Sequence, residues 1–338
     1  MVEFDDSRLE NADVLDAAAP LLMNLASSGA RVRREAATAE APLDALTDDD
    51  RPRAVIAYGP EARLLRAVLE PVCPVPFVAW PALGLPGWVG PLDVVLLIGR
   101  RGPASLAVAH EAIRRGSRLV VACAPDSQLA QQAASRSTTV LPVSTGDPLA
   151  AAVVAMVALH RLGLGQYTDP NSIAEAMDAV AENCAARTDV SVNPAKAMAL
   201  DLADAAPLVW GGSVLAARAS RRIVEALRLA SGRVGLSADS SELVPLIQQV
   251  RPRDPFADPF EESGQERRPG LVLVDDGMDD ESAEEARLRL DRTAQAAEIR
   301  VTRLTHREDS VMERYSTVLL TGLFGAAYLQ IGLGRTGL

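Results

Sequence analysis

Residues 93–116, DVVLLIGRRGPASLAVAHEAIRRG, decide the fold. Val94 to Ile98 is an unbroken apolar run, bounded by turn residues and rich in β-branched side chains, which marks a strand buried on both faces. Gly99, Arg100, Arg101 and Gly102 make a tight turn, and Pro103 sits where a helix opens. A strand, a glycine turn and a helix start together aim backbone N–H groups into the turn, an arrangement that suits an anion such as phosphate. The same alternation extends in both directions. Upstream lie a strand at 54–58, a helix at 61–69 and a strand at 76–80. Downstream lie a helix at 103–115, strand RLVVAC at 118–123, a helix at 127–135 and strand TTVLPV at 138–143. Short Val/Ile/Leu strands separated by helices predict a parallel sheet covered on both faces.

Before this run, Leu9, Val14, Leu15, Ala18, Leu21, Leu22 and Leu25 form a helix-spaced stripe over 7–27. After it, Asp147 caps a long apolar helix at 148–162, and Gly163, Gly165, Asp169 and Pro170 break the chain. The second half repeats the pattern. Helices fit 171–186 and 194–204, strand PLVWG lies at 207–211, and a helix follows at 214–229. A strand at 232–236, a helix at 241–249, strand LVLVD at 271–275, a helix at 281–297, strand EIRVTRL at 298–304 and a C-terminal helix complete it. Residues 251–270, rich in proline and charge, read as a long exposed loop. The expected fold class is α/β: two three-layer αβα sandwiches with parallel sheets, twin five-stranded layers in series. The first occupies 1–165 with a leading helix, and the second 166–338.

The 338 residues suffice for two sizeable cores. A net charge of −11 argues against nucleic acid or an anionic membrane as partner, because phosphates would be repelled. Cys73, Cys123 and Cys184 are far apart, with neither a disulfide framework nor metal-ligand spacing. The acidic start MVEFDDSRLEN has no signal-peptide character, so a cytoplasmic location is expected. Residues 316–334 are nearly long enough to span a bilayer, but Ser316, Thr317, Thr321, Gln330 and several glycines favour a buried helix. Lys196 is the only lysine.

Ligands in open parallel sheets sit beyond the C-terminal strand ends, so the turns at 57–65, 98–106 and 209–217 are the candidate sites. None carries a dinucleotide or P-loop glycine pattern. Gly59, Gly102 and the pair Gly211–Gly212 allow close backbone approach, and Ser105 and Ser213 are the nearby hydroxyls. Arg100 and Arg101 could bind a phosphate through charge-assisted hydrogen bonds. His110, His160 and His306 lie on different elements and do not compose a metal site. The acidic run Asp275, Asp276, Asp279, Asp280 and Glu281 reads as a helix N-terminus, where negative charge favours the macrodipole, with a Mg²⁺ site as the lesser reading.

Residues 191–223, SVNPAKAMALDLADAAPLVWGGSVLAARASRRI, together with TGLFGAAYLQIGLG at 321–334, resemble the sugar isomerase (SIS) domain proteins, in particular the bifunctional phosphoglucose/phosphomannose isomerases. Asn193, Pro194, Ala195 and Lys196 match the helix that opens the second SIS domain. Trp210, Gly212 and Ser213 match its strand-end turn, Arg221 its following helix, and Tyr328 and Leu329 the closing helix. The resemblance implies two SIS-type sandwiches, a homodimer, and a phosphorylated sugar as ligand. The implied site residues are Gly59, Arg100, Arg101, Gly102, Ser105, Gly212, Ser213 and Arg221. No metal, nucleotide or other cofactor is implied.

The catalytic positions depart from the family. The first turn, glycine-rich in the family, reads Tyr58, Gly59, Pro60 and Glu61 here. Arg228 stands where the family's Asn-Glu-Asn base is expected, and Pro245 where its ring-opening histidine is expected. Aldose–ketose isomerisation moves a proton between carbons and needs a base. Arginine stays protonated at neutral pH, and proline has nothing to donate. Glu225 and Glu242 are the nearby carboxylates, and His306 is a loose match to a family histidine near the C-terminal helix. Two functions follow as expectations: interconversion of mannose 6-phosphate or glucose 6-phosphate with fructose 6-phosphate, or a non-catalytic relative that senses a sugar phosphate or scaffolds mannose metabolism.

Overall fold

The computed structural model describes residues 3–48, 50–81, 84–99, 102–250, 267–278, 280–306 and 310–335. A 3-10 turn (Asp6–Leu9) leads to α1 (Ala12–Ala17), α2 (Ala19–Ala26), α3 (Ser28–Thr38) and α4 (Glu40–Asp44). Then come β1 (Val55–Tyr58), α5 (Ala62–Leu69), β2 (Phe77–Ala79), β3 (Val94–Ile98), α6 (Pro103–Arg114), β4 (Arg118–Cys123), α7 (Gln128–Gln132), β5 (Thr138–Pro142) and α8 (Pro148–Arg161). The remainder supplies α9 (Pro170–Asn183), α10 (Pro194–Asp201), β6 (Ala206–Gly211), α11 (Val214–Ser231), β7 (Leu236–Ser237), α12 (Ser240–Gln248), β8 (Pro269–Asp275), α13 (Glu281–Ala296), β9 (Val301–Thr305) and α14 (Val311–Gly332). Two compact units result: Ser28–Glu175, and Met1–Ser27 together with Ala176–Leu338. The leading segment, expected with the first sandwich, is therefore counted with the C-terminal unit, and the division at Glu175 falls within α9.

In the unit Ser28–Glu175, five parallel strands run in the order β2-β1-β3-β4-β5. Every residue of β3 is buried, as its apolar run predicts. Ile56, Val95, Leu97, Leu119, Val121 and Cys123 project from one face onto Val108, Ala109 and Ala112 of α6 and Leu129 and Ala130 of α7. The opposite face is covered by α5 and α8. Alternation of helices on both faces is the expected αβα sandwich. Asp147 caps α8 by accepting the Leu149 and Ala150 N–H groups, and also pairs with Arg31 of α3 at 2.7 Å.

Within this unit the connection from β2 to β3 is pinned by α6. Glu111 accepts the Leu85 N–H at 2.9 Å and pairs with Arg115 one turn on. Arg115 also donates to the Pro86 carbonyl at 2.5 Å. The Leu85 N–H, foremost, and the Arg115 guanidinium hold the Glu111 carboxyl below the ordinary carboxylate range. A depressed folded-state pKa stabilises the fold above the ordinary carboxylate pKa, and this contribution is lost as pH falls through the lowered value. Glu111→Gln is expected to lower stability at pH 7 by up to about 1 kcal/mol, since a partly exposed carboxylate is screened. Urea melts at pH 7 and pH 3 check this; the gap between variant and parent closes at the lower pH.

In the other unit four parallel strands run β7-β6-β8-β9 among the described residues, one fewer than the twin five-stranded layers expected. The strand expected at 232–236 contracts to β7, because Gly232 takes a left-handed conformation (φ 68°) to end α11. Leu208, Trp210, Leu271 and Leu273 pack on Leu243, Val244 and Ile247 of α12 and Leu290 and Ala294 of α13. On the other side α14 is the central helix, packed against α10 and α11 and against the 3-10 turn and α2. Glycines seat it: a Cβ at Gly322 would strike Ile223, at Gly325 Met198, and at Gly332 the Phe4 ring. Residues 316–334 thus form a buried helix, and no helix of the described residues is long and apolar enough to cross a membrane.

Residues 7–27 form three pieces rather than the single helix expected. Pro20 lies in the first turn of α2 and cannot continue α1, because it lacks an N–H and its ring clashes with the preceding turn. The apolar pattern does not predict α3 and α4, which carry few apolar residues. Of the loop 251–270, residues 251–266 lie outside the described residues.

Candidate functional site

In the sheet of the unit Ser28–Glu175, the chain steps from β1 to β2 on one side and to β3 on the other, so the strand order reverses between β1 and β3. That reversal is where open parallel sheets bind ligands. Two glycine turns meet there. Gly59 follows β1 at φ 127°, and a Cβ on it would collide with the Ile98 carbonyl at the end of β3. Gly102 precedes α6 at φ 151° with no atom within 4 Å of where its Cβ would lie. No side chain caps α6, and Pro103 stands in its first turn. The N–H groups of Ala104 and Ser105 therefore have no side-chain acceptor from the cap position. Ser105 is 4% exposed in this turn, and Glu61 is equally buried just before α5. Trp80 follows β2 at the same edge, and its buried Nε1–H has no hydrogen-bond partner among the described residues. Arg100 and Arg101 lie outside the described residues.

The second reversal lies between β6 and β8 in the other unit. A cleft of about 820 Å³ opens there, lined among others by Trp210, Gly212, Ser213, Asp275, Asp276, Asp280, Glu281, Glu284, Arg287 and Arg314. Gly212 is required by packing, since a Cβ would lie 2.6 Å from the Ala283 Cβ. The Ser213 hydroxyl is doubly engaged: it caps α11 by accepting the Ala216 N–H at 2.9 Å and donates to Asp276 Oδ2 at 2.5 Å. Asp280 caps α13, as the acidic run predicts. Asp275 instead ends strand β8, Asp276 follows it, and both line the cleft. Asp279 lies outside the described residues. Carboxylates at this edge repel a phosphate and favour donors and cations.

The other expected site residues are placed apart from this cleft's lining. Arg221 and Arg228 are exposed on α11, and Glu225 on the same helix pairs with Arg222 at 3.2 Å. Glu242 and Pro245 are exposed on α12. His306 directly follows β9, and its carbonyl lies against Gly277. Lys196 is structural. It is 1% exposed, and its ammonium donates to the Ala186 and Thr188 carbonyls, each at 2.9 Å. Asn193 caps α10 through Ala195 and Lys196 N–H. Sequence reasoning missed Asp275 and Asp276 as cleft residues. The usable signal was their place at the end of an apolar strand, ahead of the true cap at Asp280.

No protein-family model matches the chain, and no curated protein matches it. Solved structures do. A hypothetical protein from Thermus thermophilus matches with a TM-score of 0.62 at 15% identity, over 98% of this chain and 94% of that one. A candidate phosphosugar isomerase from Clostridium difficile matches with a TM-score of 0.59 at 10% identity, over 94% and 93%. Tagatose-6-phosphate ketose/aldose isomerase from Escherichia coli matches with a TM-score of 0.52 at 11% identity, over 94% and 92%. The chain thus has the two-sandwich α/β fold of SIS-type proteins, as its sequence resemblance implies.

Proposed function

We propose that this protein binds a phosphorylated sugar at the β1/β3 edge of the unit Ser28–Glu175 and does not isomerise it. The observation that carries the reading is the open start of α6. Gly102 leaves space in front of it, no side chain occupies its cap, and a helix N-terminus favours an anion. Ser105 lies in the same turn, and the Trp80 indole N–H, without a partner among the described residues, lies at the same sheet edge. The phosphosugar isomerase names among proteins of this fold point to the same ligand class.

The chemistry of isomerisation has less support. Arg228 and Pro245 occupy the positions where the resemblance implies a base and a histidine, and neither can exchange a proton at neutral pH. Glu225 is held by Arg222, and Glu242 is exposed on α12. The proposal includes a homodimer and a cytoplasmic location, as the sequence leads us to expect; sedimentation of the purified chain tests the former.

Thermal shift and calorimetry with glucose 6-phosphate and mannose 6-phosphate, against the unphosphorylated sugars, test the reading. Saturating phosphosugar is expected to raise Tm, because binding to the folded state stabilises it. Gly102→Val, which fills the open space and strains a positive φ, is expected to weaken binding at least tenfold, about 1.4 kcal/mol. Ser105→Ala, which leaves the backbone undisturbed, weakens it less. No shift at millimolar phosphosugar would sink the proposal, and so would formation of fructose 6-phosphate by the unmodified protein.

A further inference from the structure

We propose that the cleft at the β6/β8 edge binds a neutral polyhydroxylated ligand, a sugar or polyol without a phosphate. The pointer is Trp210, near the end of β6. It is 5% exposed, in one cluster with Leu243, Val244 and Ile247 of α12, yet it lines the cleft. Its indole N–H donates to no acceptor among the described residues. Unlike the Trp80 N–H, it is not sealed from solvent, and the opening it has is the cleft that the ring lines. The ring is held close against Gly212, where a Cβ would lie 2.8 Å from the Trp210 Cη2 and 3.2 Å from its Cζ2. A fixed, mostly buried donor that only water can satisfy is matched by a ligand oxygen placed in the cleft.

The groups that share the cleft narrow the ligand. Asp275, Asp276 and Glu281 also line it. Asp276 takes the Ser213 hydroxyl on Oδ2 and Asp275 takes the Gly277 N–H on Oδ1, while no hydrogen bond or ion pair engages Glu281 among the described residues. Each carboxylate oxygen can take more than one donor, so acceptor capacity is left over. Arg287 is committed to Glu284 and Asp291, and Arg314 to the Gly277 carbonyl. The cleft therefore offers acceptors in excess together with the Trp210 donor.

That combination decides between ligand classes. A phosphate or carboxylate is repelled by the acids. A metal ion or an ammonium group has no lone pair for the indole N–H, and no three His, Cys, Asp or Glu side chains among the described residues converge as a metal site. A hydroxyl satisfies both kinds of group: it donates to a carboxylate and accepts from an N–H. Several hydroxyls on one short carbon skeleton can serve the carboxylates and the indole together, within a volume of about 820 Å³. The site lies in the unit containing Ala176–Leu338, so this inference does not rest on phosphosugar binding in the other unit.

The chain's three tryptophans, Trp80, Trp88 and Trp210, make the test direct. The indole N–H signals of the nitrogen-labelled full chain are followed by two-dimensional NMR while glucose, fructose or mannitol is added to about 100 mM, a range suited to weak polar ligands. Trp210→Phe, which loses the N–H and keeps an aromatic ring, assigns the Trp210 signal by its disappearance. That signal is expected to move saturably with at least one of these probes, while the Trp88 signal stays in place. Glu281→Gln, at an exposed position, should raise the apparent Kd several-fold. Glucose 6-phosphate should move the Trp80 signal instead, so failure of either proposal shows separately. No saturable movement of the Trp210 signal, equal movement of all the indole signals, an unchanged Kd in Glu281→Gln, or the same movement on adding Mg²⁺ or spermidine would each overturn the inference. If Trp210→Phe fails to fold, Trp80→Phe and Trp88→Phe assign the remaining signal by elimination.

Discussion

An amine-reactive reagent added to the native protein is expected to leave Lys196 unmodified while labelling the α-amine, and to reach Lys196 only after unfolding. The chain makes this measurement unusually clean, because Lys196 is its only lysine. The side chain is 1% exposed, with its ammonium 2.9 Å from two carbonyl oxygens and 5.6 Å from the centre of the Tyr328 ring. Tyr328 is fixed in turn by donating its hydroxyl to the Cys184 carbonyl at 2.7 Å. Burial pulls the Lys196 pKa down, opposed by Glu10 and Asp189. The lowered value means that stability rises with pH between it and the ordinary lysine pKa, where the unfolded chain holds more protons. Lys196→Met keeps the length and removes every N–H donor. Two carbonyls then lose their partner, and the variant is expected to be less stable by about 2–4 kcal/mol in urea melts. Rapid labelling of Lys196 in the folded protein would contradict the burial.

Glu35→Ala is expected to destabilise the unit Ser28–Glu175 by about 3 kcal/mol, the scale for leaving buried N–H groups without an acceptor. Glu35 is 1% exposed on α3. Its carboxylate accepts the Ser144 N–H with both oxygens at 2.9 Å and the Thr145 N–H at 2.5 Å. It thereby ties α3 to the turn that leads from β5 into the Asp147 cap of α8. Glu35→Gln retains one acceptor oxygen but brings an amide N–H toward backbone donors, so its loss should be smaller than that of Ala. Hydrogen exchange at Ser144 and Thr145 should accelerate in both variants. A Glu35→Ala protein within about 0.5 kcal/mol of the parent, the ordinary range for surface substitutions, would remove Glu35 from this role.

Glu35 also shows where sequence reading reaches its limit. Helix α3, SGARVRREAAT, carries few apolar residues, and two of its buried positions are Val32 and Glu35. A charged side chain buried against backbone donors cannot be told from a solvated one without its partners, which lie more than a hundred residues away. By contrast, β3 is legible because its five residues are all buried and all apolar, and the α8 cap is legible because Asp147 and Pro148 are local signals. The candidate site divides in the same way. The glycine turns at Gly59 and Gly102 declare themselves by residue type. Ser213 declares itself as a turn hydroxyl but its partner does not, since the Asp276 that accepts its hydrogen bond lies 63 residues on. Strand order, which local periodicity does not encode, then puts Asp275 and Asp276 in a cleft rather than merely ahead of a helix.

The placement of α14 sets a timetable for synthesis. The unit Ser28–Glu175 is one continuous stretch, so it can complete itself while later residues are still being added by the ribosome. The other unit has to wait. Its central helix is translated after the strands and helices it packs on, and Arg8 reaches across 323 residues to the Ile331 carbonyl. Until α14 emerges, the apolar faces of α2, α10 and α11 stay open. The nascent chain therefore carries the segment ahead of Ser28 as an unpaired, chaperone-accessible arm through most of its elongation.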